Sequence, residues 1–319
     1  MIDDRASLTR SAAFASISVA LILVALKAWA SWKTGSTAML GSLADSALDL
    51  FASLVTLFGV WFASQPADRE HRFGHGKAEA LAAMVQVLLI AVSATAIGVR
   101  AVERLMNPQG TSAAVEGIGV SVIAIVLTLA LLAWQKFVIA RTRSVAIHAD
   151  HVHYQADLLL NLAVIAALAL DQYAGFGLAD PLFGIAIAAW LLWGAWEAAS
   201  GAIDQLLDRE WPEEKRVAFV EAAAQFPELN NLHDLRTRTS GAQDFAQFHV
   251  DLPGDMSVEE AHDIIDRVED ELCRAFPDLE LLIHIDPEGH VDEPDNPLVE
   301  ENEFERLEES HDDDPLLAR

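Results

Sequence analysis

The chain has 319 residues, a single cysteine and a formal net charge of −27, yet 52% of it is hydrophobic. So acidic a balance argues against nucleic acid as a partner, because phosphate backbones are bound through Lys and Arg. One cysteine rules out an intrachain disulfide or a thiolate cluster. The two biases separate along the chain, with apolar runs up to about residue 200 and acids dominating beyond it.

Six runs are candidates to cross a bilayer: 11–31, 37–64, 78–99, 113–138, 145–170 and 181–199. Each is near or above the roughly 20 residues a spanning helix needs. The first has no small-residue cleavage site with a clear mature start, which sets it apart from a signal peptide. Lys and Arg in short loops orient the set. With the N-terminus inside, the inner segments carry Arg5, Arg10, Arg69, Arg72, Lys77, Lys136, Arg141 and Arg143. The outer ones carry Lys33, Arg100 and Arg104. Both termini are therefore expected in the cytoplasm.

Lys27 is the one basic residue of the first run, near its outer end, and is expected to snorkel to the interface. The second run holds Leu-Ala-Asp-Ser-Ala-Leu-Asp-Leu at 43–50. Asp45 and Asp49 are four apart, so on a helix both carboxylates leave one face. Each acid in hydrocarbon costs about 2.5–3.5 kcal/mol, so a compensating partner is required. No Lys or Arg lies within the second or fifth run to supply it.

The loop that follows carries Asp68, His71 and His75, loosened by Gly74 and Gly76. These are either a compact O/N/N metal set or a solvated polar loop. The third and fourth runs read as scaffold.

The fifth run reads Ala-Asp-His-Val-His-Tyr-Gln-Ala-Asp at 149–157, where His153 and Asp157 repeat the spacing of the acid pair. Facing helices would bring three carboxylates and an imidazole together as a tetrahedral site for a divalent cation, Zn2+ first. Asp150 and Asn161 share that helix face and would orient the ligands, or Asp150 is simply an acid at a helix N-terminus. His151 points elsewhere.

Beyond residue 204 a soluble segment alternates in period. A helix at 212–225 opens on Pro212, and strands at 232–239 and 244–252 flank a Ser240-Gly241 turn. A helix at 257–276 opens with the capping box Ser257-Val-Glu-Glu260, and a third strand covers 279–286. This αββαβ order fits a small sheet with two helices on one face. His233, His249, His284 and Asp286 fall on strands and His262 in the first turn of the second helix, as one or two Zn2+ sites between elements or across a dimer. The tail at 289–319 is acid-rich and expected to be disordered. The expected domains are 1–204, a six-helix all-α membrane domain, 205–288, a cytoplasmic α+β domain, and the tail 289–319.

With these motifs in place the chain resembles the cation diffusion facilitators, in particular the bacterial zinc/ferrous-iron efflux branch. The resemblance rests on the 42–49 and 149–157 motifs, on Gln-Pro-Ala-Asp at 65–68 with Phe-Gly-His-Gly-Lys-Ala-Glu at 73–79, and on Leu-Leu-Asp-Arg at 206–209. It implies a homodimer in the inner membrane with metallochaperone-like αββαβ domains. It further implies a transport site of Asp45, Asp49, His153 and Asp157, and a loop site of Asp68, His71 and His75. A binuclear cytoplasmic site of His233, His249, His262, His284 and Asp286 and a salt bridge between Lys77 and Asp208 complete the set. Ile285 stands where a polar residue is often found, and the acidic tail departs from the pattern.

The expected activity is efflux of Zn2+, with Cd2+, Fe2+, Co2+, Ni2+ and Mn2+ as alternative cargoes, in exchange for protons by alternating access. Ligands must deprotonate to bind metal, and His153 is the natural proton carrier. A membrane metallohydrolase would want His-Glu-x-x-His, which the chain lacks. A sensor that moves no ions is the other rival, and no enzymatic activity is expected.

Overall fold

The computed structural model describes residues 2–34, 37–107, 118–174, 176, 178–289 and 302–312. They divide into two compact units, one helical over 3–206 and one containing a sheet beyond it.

The helical unit consists of α1 (Ile2–Thr34), α2 (Thr37–Ala63), α3 (Lys77–Met106), α4 (Ile118–Thr142), α5 (Val145–Ala174) and α6 (Ala179–Leu206). Among the described residues, five are long and apolar enough to cross a membrane: α1, α2, α3, α4 and α6. The 30-residue α5, with its acids and histidines, packs against α2, α3, α4 and α6. The start of the fourth run, 113–117, lies outside the described residues. α3 runs past the expected end at 99, because Arg100, Glu103 and Arg104 favour helix and Arg104 pairs with Asp180 of α6.

The unit differs from a water-soluble bundle in having an apolar surface, while its apolar core also encloses polar groups. Phe58, Leu88, Trp193 and Trp196 are exposed, while Ser16, Ser53, Thr56, Gln86, Gln135 and Asp150 are buried. Lipid would cover the first group, and the second has hydrogen-bond partners only inside the bundle. Small residues allow the closest approaches. A Cβ at Gly59 of α2 would collide with the Ala82 Cβ of α3.

The second unit contains α7 (Glu213–Ala223), β1 (Asn230–Ser240), β2 (Gln243–Leu252), α8 (Val258–Ala275), β3 (Leu279–Pro287) and α9 (Glu303–Asp312). The αββαβ order is as expected. β1 and β2 form an antiparallel hairpin turning at Gly241, whose φ of +60° suits glycine. β3 returns through α8 to pair in parallel with β2, giving the order β1-β2-β3. Phe219 of α7, Leu232 of β1, Phe248 and Val250 of β2, Val268 and Leu272 of α8 and Leu281 of β3 form one core. The intervening strand positions, including His249 and His284, point to the other face.

The tail differs from its expectation. Glu303–Asp312 forms α9, which contacts α7 and β1 and lays Phe304 and Leu307 against the core. Two apolar residues one turn apart, with ion pairs beside them, dock an otherwise acidic segment. Arg216 of α7 donates to Glu303 at 2.7 Å, and Arg306 donates to Glu213 at 3.2 Å. Residues 290–301 and 313–319 lie outside the described residues.

Candidate metal centre

α2 and α5 bring Asp49 to face the His153–Asp157 pair. Nε2 of His153 lies 3.2 Å from Oδ1 of Asp49 and 4.0 Å from Oδ2 of Asp157. One potential ligand atom from each of the three lies within 4.8 Å of the others. Asp45, one turn earlier, is not in that set. It is exposed and lines a cleft of about 820 Å³ between α2, α3, α5 and α6, whose far end holds Arg100, Arg104 and Asp180. Asp49 and Asp157 thus offer carboxylate oxygens within 4.8 Å of each other across the two helices. Like charges this close repel by about 4 kcal/mol at an effective dielectric near 20, so the cluster attracts a cation.

Lys27 departs from its expectation. Instead of snorkelling outward, its Nζ donates to Oγ of Ser46 at 2.6 Å and to the Ser42 carbonyl at 3.3 Å. Ser46 is buried and lies between the two acids of α2. The sequence missed this because the cation comes from α1, outside the two runs that carry the acids.

Asp150 is fully buried one turn before His153. Its carboxylate accepts from Ser16 Oγ of α1 at 2.6 Å, Gln135 Nε2 of α4 at 2.8 Å and Gln86 Nε2 of α3 at 3.1 Å. Gln86 also donates to Thr56 Oγ1 of α2 at 2.8 Å, and His151 lies 3.1 Å from Gln135 Oε1. The Tyr154 hydroxyl donates to the Ser16 carbonyl at 3.1 Å and lies 2.9 Å from Ser53 Oγ. The network ties α5 to four neighbouring helices. Asn161 donates to the Asp157 backbone carbonyl, not to its carboxylate. Gln86 and Gln135 could have been found as polar residues within apolar runs.

In the loop, backbone N–H groups of His71 and Glu70 donate to Asp68 Oδ1 at 2.6 and 2.8 Å. The His71 N–H does most to hold the Asp68 carboxyl below the usual carboxylate range. Nδ1 of His71 lies 3.3 Å from Asp68 Oδ1, and Nε2 of His75 lies 3.3 Å from Oδ2. The other His75 ring nitrogen is buried without a hydrogen-bond partner. All three residues offer ligand atoms within 4.8 Å of one another.

On the helix-free face of the sheet, register aligns His233 with His249 and His249 with His284. His233, His249 and Asp286 form a third such cluster. Nδ1 of His249 lies 2.8 Å from Asp286 Oδ2, and Nε2 of His233 lies 3.8 Å from it. Asn231 and Asp234, with φ of 49° and 48°, bracket His233 where the β1 register shifts, and this aims its ring. His284 stands beside the cluster, 3.5 Å from Asp286. Asp234, which the sequence reading passed over, lies 3.8 Å from His249. His262 is exposed on α8 and pairs with Asp266 at 3.2 Å, apart from the cluster.

Of the expected salt-bridge pair, Lys77 in the helical unit donates to the Leu206 carbonyl at 3.2 Å. Asp208 in the second unit lies 3.5 Å from Arg238.

Comparison with known proteins identifies the family. Residues 13–207 match the family model described as the cation efflux transmembrane domain, and residues 211–288 match the cation efflux protein, cytoplasmic domain. The chain belongs to the cation efflux family, the cation diffusion facilitators. This cation efflux protein is 40% identical over 302 residues to the cation-efflux pump FieF of Cronobacter sakazakii, covering 95% of this chain and 99% of that one. It is 41% identical over 288 residues to FieF of Pectobacterium atrosepticum, covering 90% and 96%. Among solved structures, CzrB in its Zn form is 38% identical and covers 27% of this chain and 99% of its own, with a TM-score of 0.24. The metal-bound C-terminal domain of CzcD from Thermotoga maritima is 27% identical and covers 26% and 99%, also with a TM-score of 0.24. The protein is thus a cation efflux transporter and an integral membrane protein, and its family's members are transporters, not enzymes.

Proposed function

We propose that this protein exports Zn2+ from the cytoplasm across the bacterial inner membrane in exchange for protons, working as a homodimer with both termini inside. The convergence of Asp49, His153 and Asp157 carries the reading, since their ligand atoms lie within 4.8 Å of one another on two membrane helices. At 1.5 Å per residue, Asp49 sits about 18 Å along α2 and His153 about 12 Å along α5, depths inside a hydrocarbon layer roughly 30 Å thick. One imidazole among carboxylates suits Zn2+ and Cd2+, whereas an all-oxygen site would lean to Mn2+. Fe2+, Co2+ and Ni2+ are the remaining candidate cargoes.

The exchange follows from the ligands. Zn2+ arriving from the cytoplasm needs a neutral imidazole and ionised carboxylates, so its binding expels protons, and protons outside displace it. His153 is the group placed to carry them, bridging the acid of α2 and that of α5. Asp45 completes the site as its fourth ligand when α2 and α5 close. The wide cleft it lines here is the exit path, opening at the ends of α3 and α6 that the charge distribution places outside. The Asp68–His71–His75 loop receives the ion at the cytoplasmic mouth. The binuclear cytoplasmic site, with His233, His249, His284 and Asp286 and with His262 contributed on dimer formation, ties the protomers together as cytosolic metal rises.

Flux into proteoliposomes, followed with a zinc-sensitive dye under imposed pH gradients, tests the proposal. Asp157→Ala should abolish transport, and wild-type flux in that variant would remove the site assignment. Flux independent of the gradient would remove proton exchange. Absence of flux in the wild-type protein would favour a sensor.

A further inference from the structure

We infer that Lys27 is the permanent counter-charge of the transport site, a positioning residue that sets how tightly the metal is held; the inference rests on the transport-site reading above. An unpaired lysine among three intramembrane acids would be expected to swing to water. Here its ammonium is fixed to α2 by Ser46 Oγ at 2.6 Å and the Ser42 carbonyl at 3.3 Å. Both acceptors lie within one turn of Asp45, and Ser46 lies within one turn of Asp49 as well, on the helix that faces His153 and Asp157 of α5. Both contacts are to neutral acceptors, so the positive charge is not cancelled by an ion pair of its own. It is shared by the cluster.

The consequence is a charge count. A dication, three ionised ligand carboxylates, a neutral imidazole and the Lys27 ammonium sum to zero, so the ligand set and its counter-charge balance, with the Asp150 carboxylate outside that set and held by its own three donors. Without Lys27 the loaded site would keep a net negative charge, and it would hold a dication more tightly and release it less readily. Binding of the ion and repulsion by the ammonium act through the same carboxylates. The lysine therefore weakens binding while speeding release.

The test uses the full-length protein in proteoliposomes, with initial Zn2+ flux measured across Zn2+ concentrations at fixed pH. Lys27→Gln keeps hydrogen-bond donors near Ser46 but removes the charge. Its KM should fall about five-fold, the size expected for loss of one nearby like charge partly screened by water, and its maximal rate should fall with it. Lys27→Arg should keep the wild-type KM. If flux in Lys27→Gln is too slow to yield a KM, equilibrium Zn2+ binding in nanodiscs, taken as the part absent from Asp157→Ala, should be about five-fold tighter. An unchanged or weakened affinity in Lys27→Gln overturns the inference, as does a Lys27→Arg that shifts with it. If Lys27→Gln does not fold, judged by its melting temperature, Ser46→Ala carries the test: it frees the ammonium, and its KM should fall about two-fold, an unchanged value being fatal. If Asp157→Ala abolishes flux while Lys27→Gln keeps the wild-type KM, only the counter-charge falls. If Asp157→Ala still transports, the transport-site reading falls as well.

Discussion

Gln135 of α4 donates to the Asp150 carboxylate of α5 at 2.8 Å, with both residues fully buried. Ser16 and Gln86 supply the remaining donors from α1 and α3. Replacing the acid with an apolar residue would take one acceptor from each of the three, leaving Gln86 on Thr56, Ser16 on the Ala12 carbonyl and Gln135 on Ser16, and each charge-assisted bond lost costs about 1–3 kcal/mol. Asp150→Leu should therefore lower the melting temperature of the detergent-solubilised protein well below that of Asp150→Asn, which keeps an acceptor. Equal melting temperatures would show that the network does not stabilise the bundle.

At Gly59 there is no room for a side chain, because a Cβ would meet the Ala82 Cβ of α3. Gly59→Ala should push α2 from α3 and destabilise the protein by roughly 1–3 kcal/mol. Thermal unfolding in detergent checks this, and Gly59→Ala paired with Ala82→Gly should recover part of the loss. Absence of any recovery would show that the Ala82 methyl is not what the added Cβ meets.

Two carboxylates outside the membrane segments make a pH prediction. Hydrogen bonds to ionised oxygens, led by the His71 N–H for Asp68 and by the Ser257 hydroxyl for Glu260, hold both below their usual range. A depressed folded value means a contribution that is complete above the ordinary pKa, about 3.9 for Asp and 4.3 for Glu, and lost as pH falls through the lower folded value. The 68–71 turn and the α8 N-terminus should thus persist where ordinary carboxylates protonate. Side-chain carboxyl carbon shifts followed by NMR would titrate below those ordinary values, and midpoints at or above them would refute the arrangement.

Docking of α9 depends on few contacts. Removing residues 302–319 should expose the surface under Phe304 and Leu307 and cost about 1–3 kcal/mol of stability in the C-terminal unit. Arg216→Ala should weaken the same contact by deleting the bond to Glu303. Hydrogen exchange along α9 would report it, and protection equal to wild type would mean that the apolar contacts suffice.

The sequence made the acid pairs, the loop ligands and the sheet unit legible for a local reason. Asp45 and Asp49, His153 and Asp157, and the Ser257–Glu260 capping box are all encoded by spacings of three or four residues. Features that require knowing which helix faces which were hidden. Lys27 reads as a surface anchor until α1 is packed on α2 and its ammonium meets Ser46. Asp150 fits either of two roles until Ser16, Gln86 and Gln135 arrive from three other helices. Composition misled at α9, since the acids of 303–312 outweigh Phe304 and Leu307 in any average, although those two residues decide where the segment lies.

The parallel pairing of β3 with β2 imposes an order of assembly. β1 and β2 can zip as a local hairpin, but His284 and Asp286 reach His249 only after the chain has crossed over through α8 and inserted its last strand. The histidine rung on the open face is therefore completed only once β3 has been made, after the hairpin and before α9. A nascent or C-terminally clipped transporter would keep His233 and His249 without their shared acid.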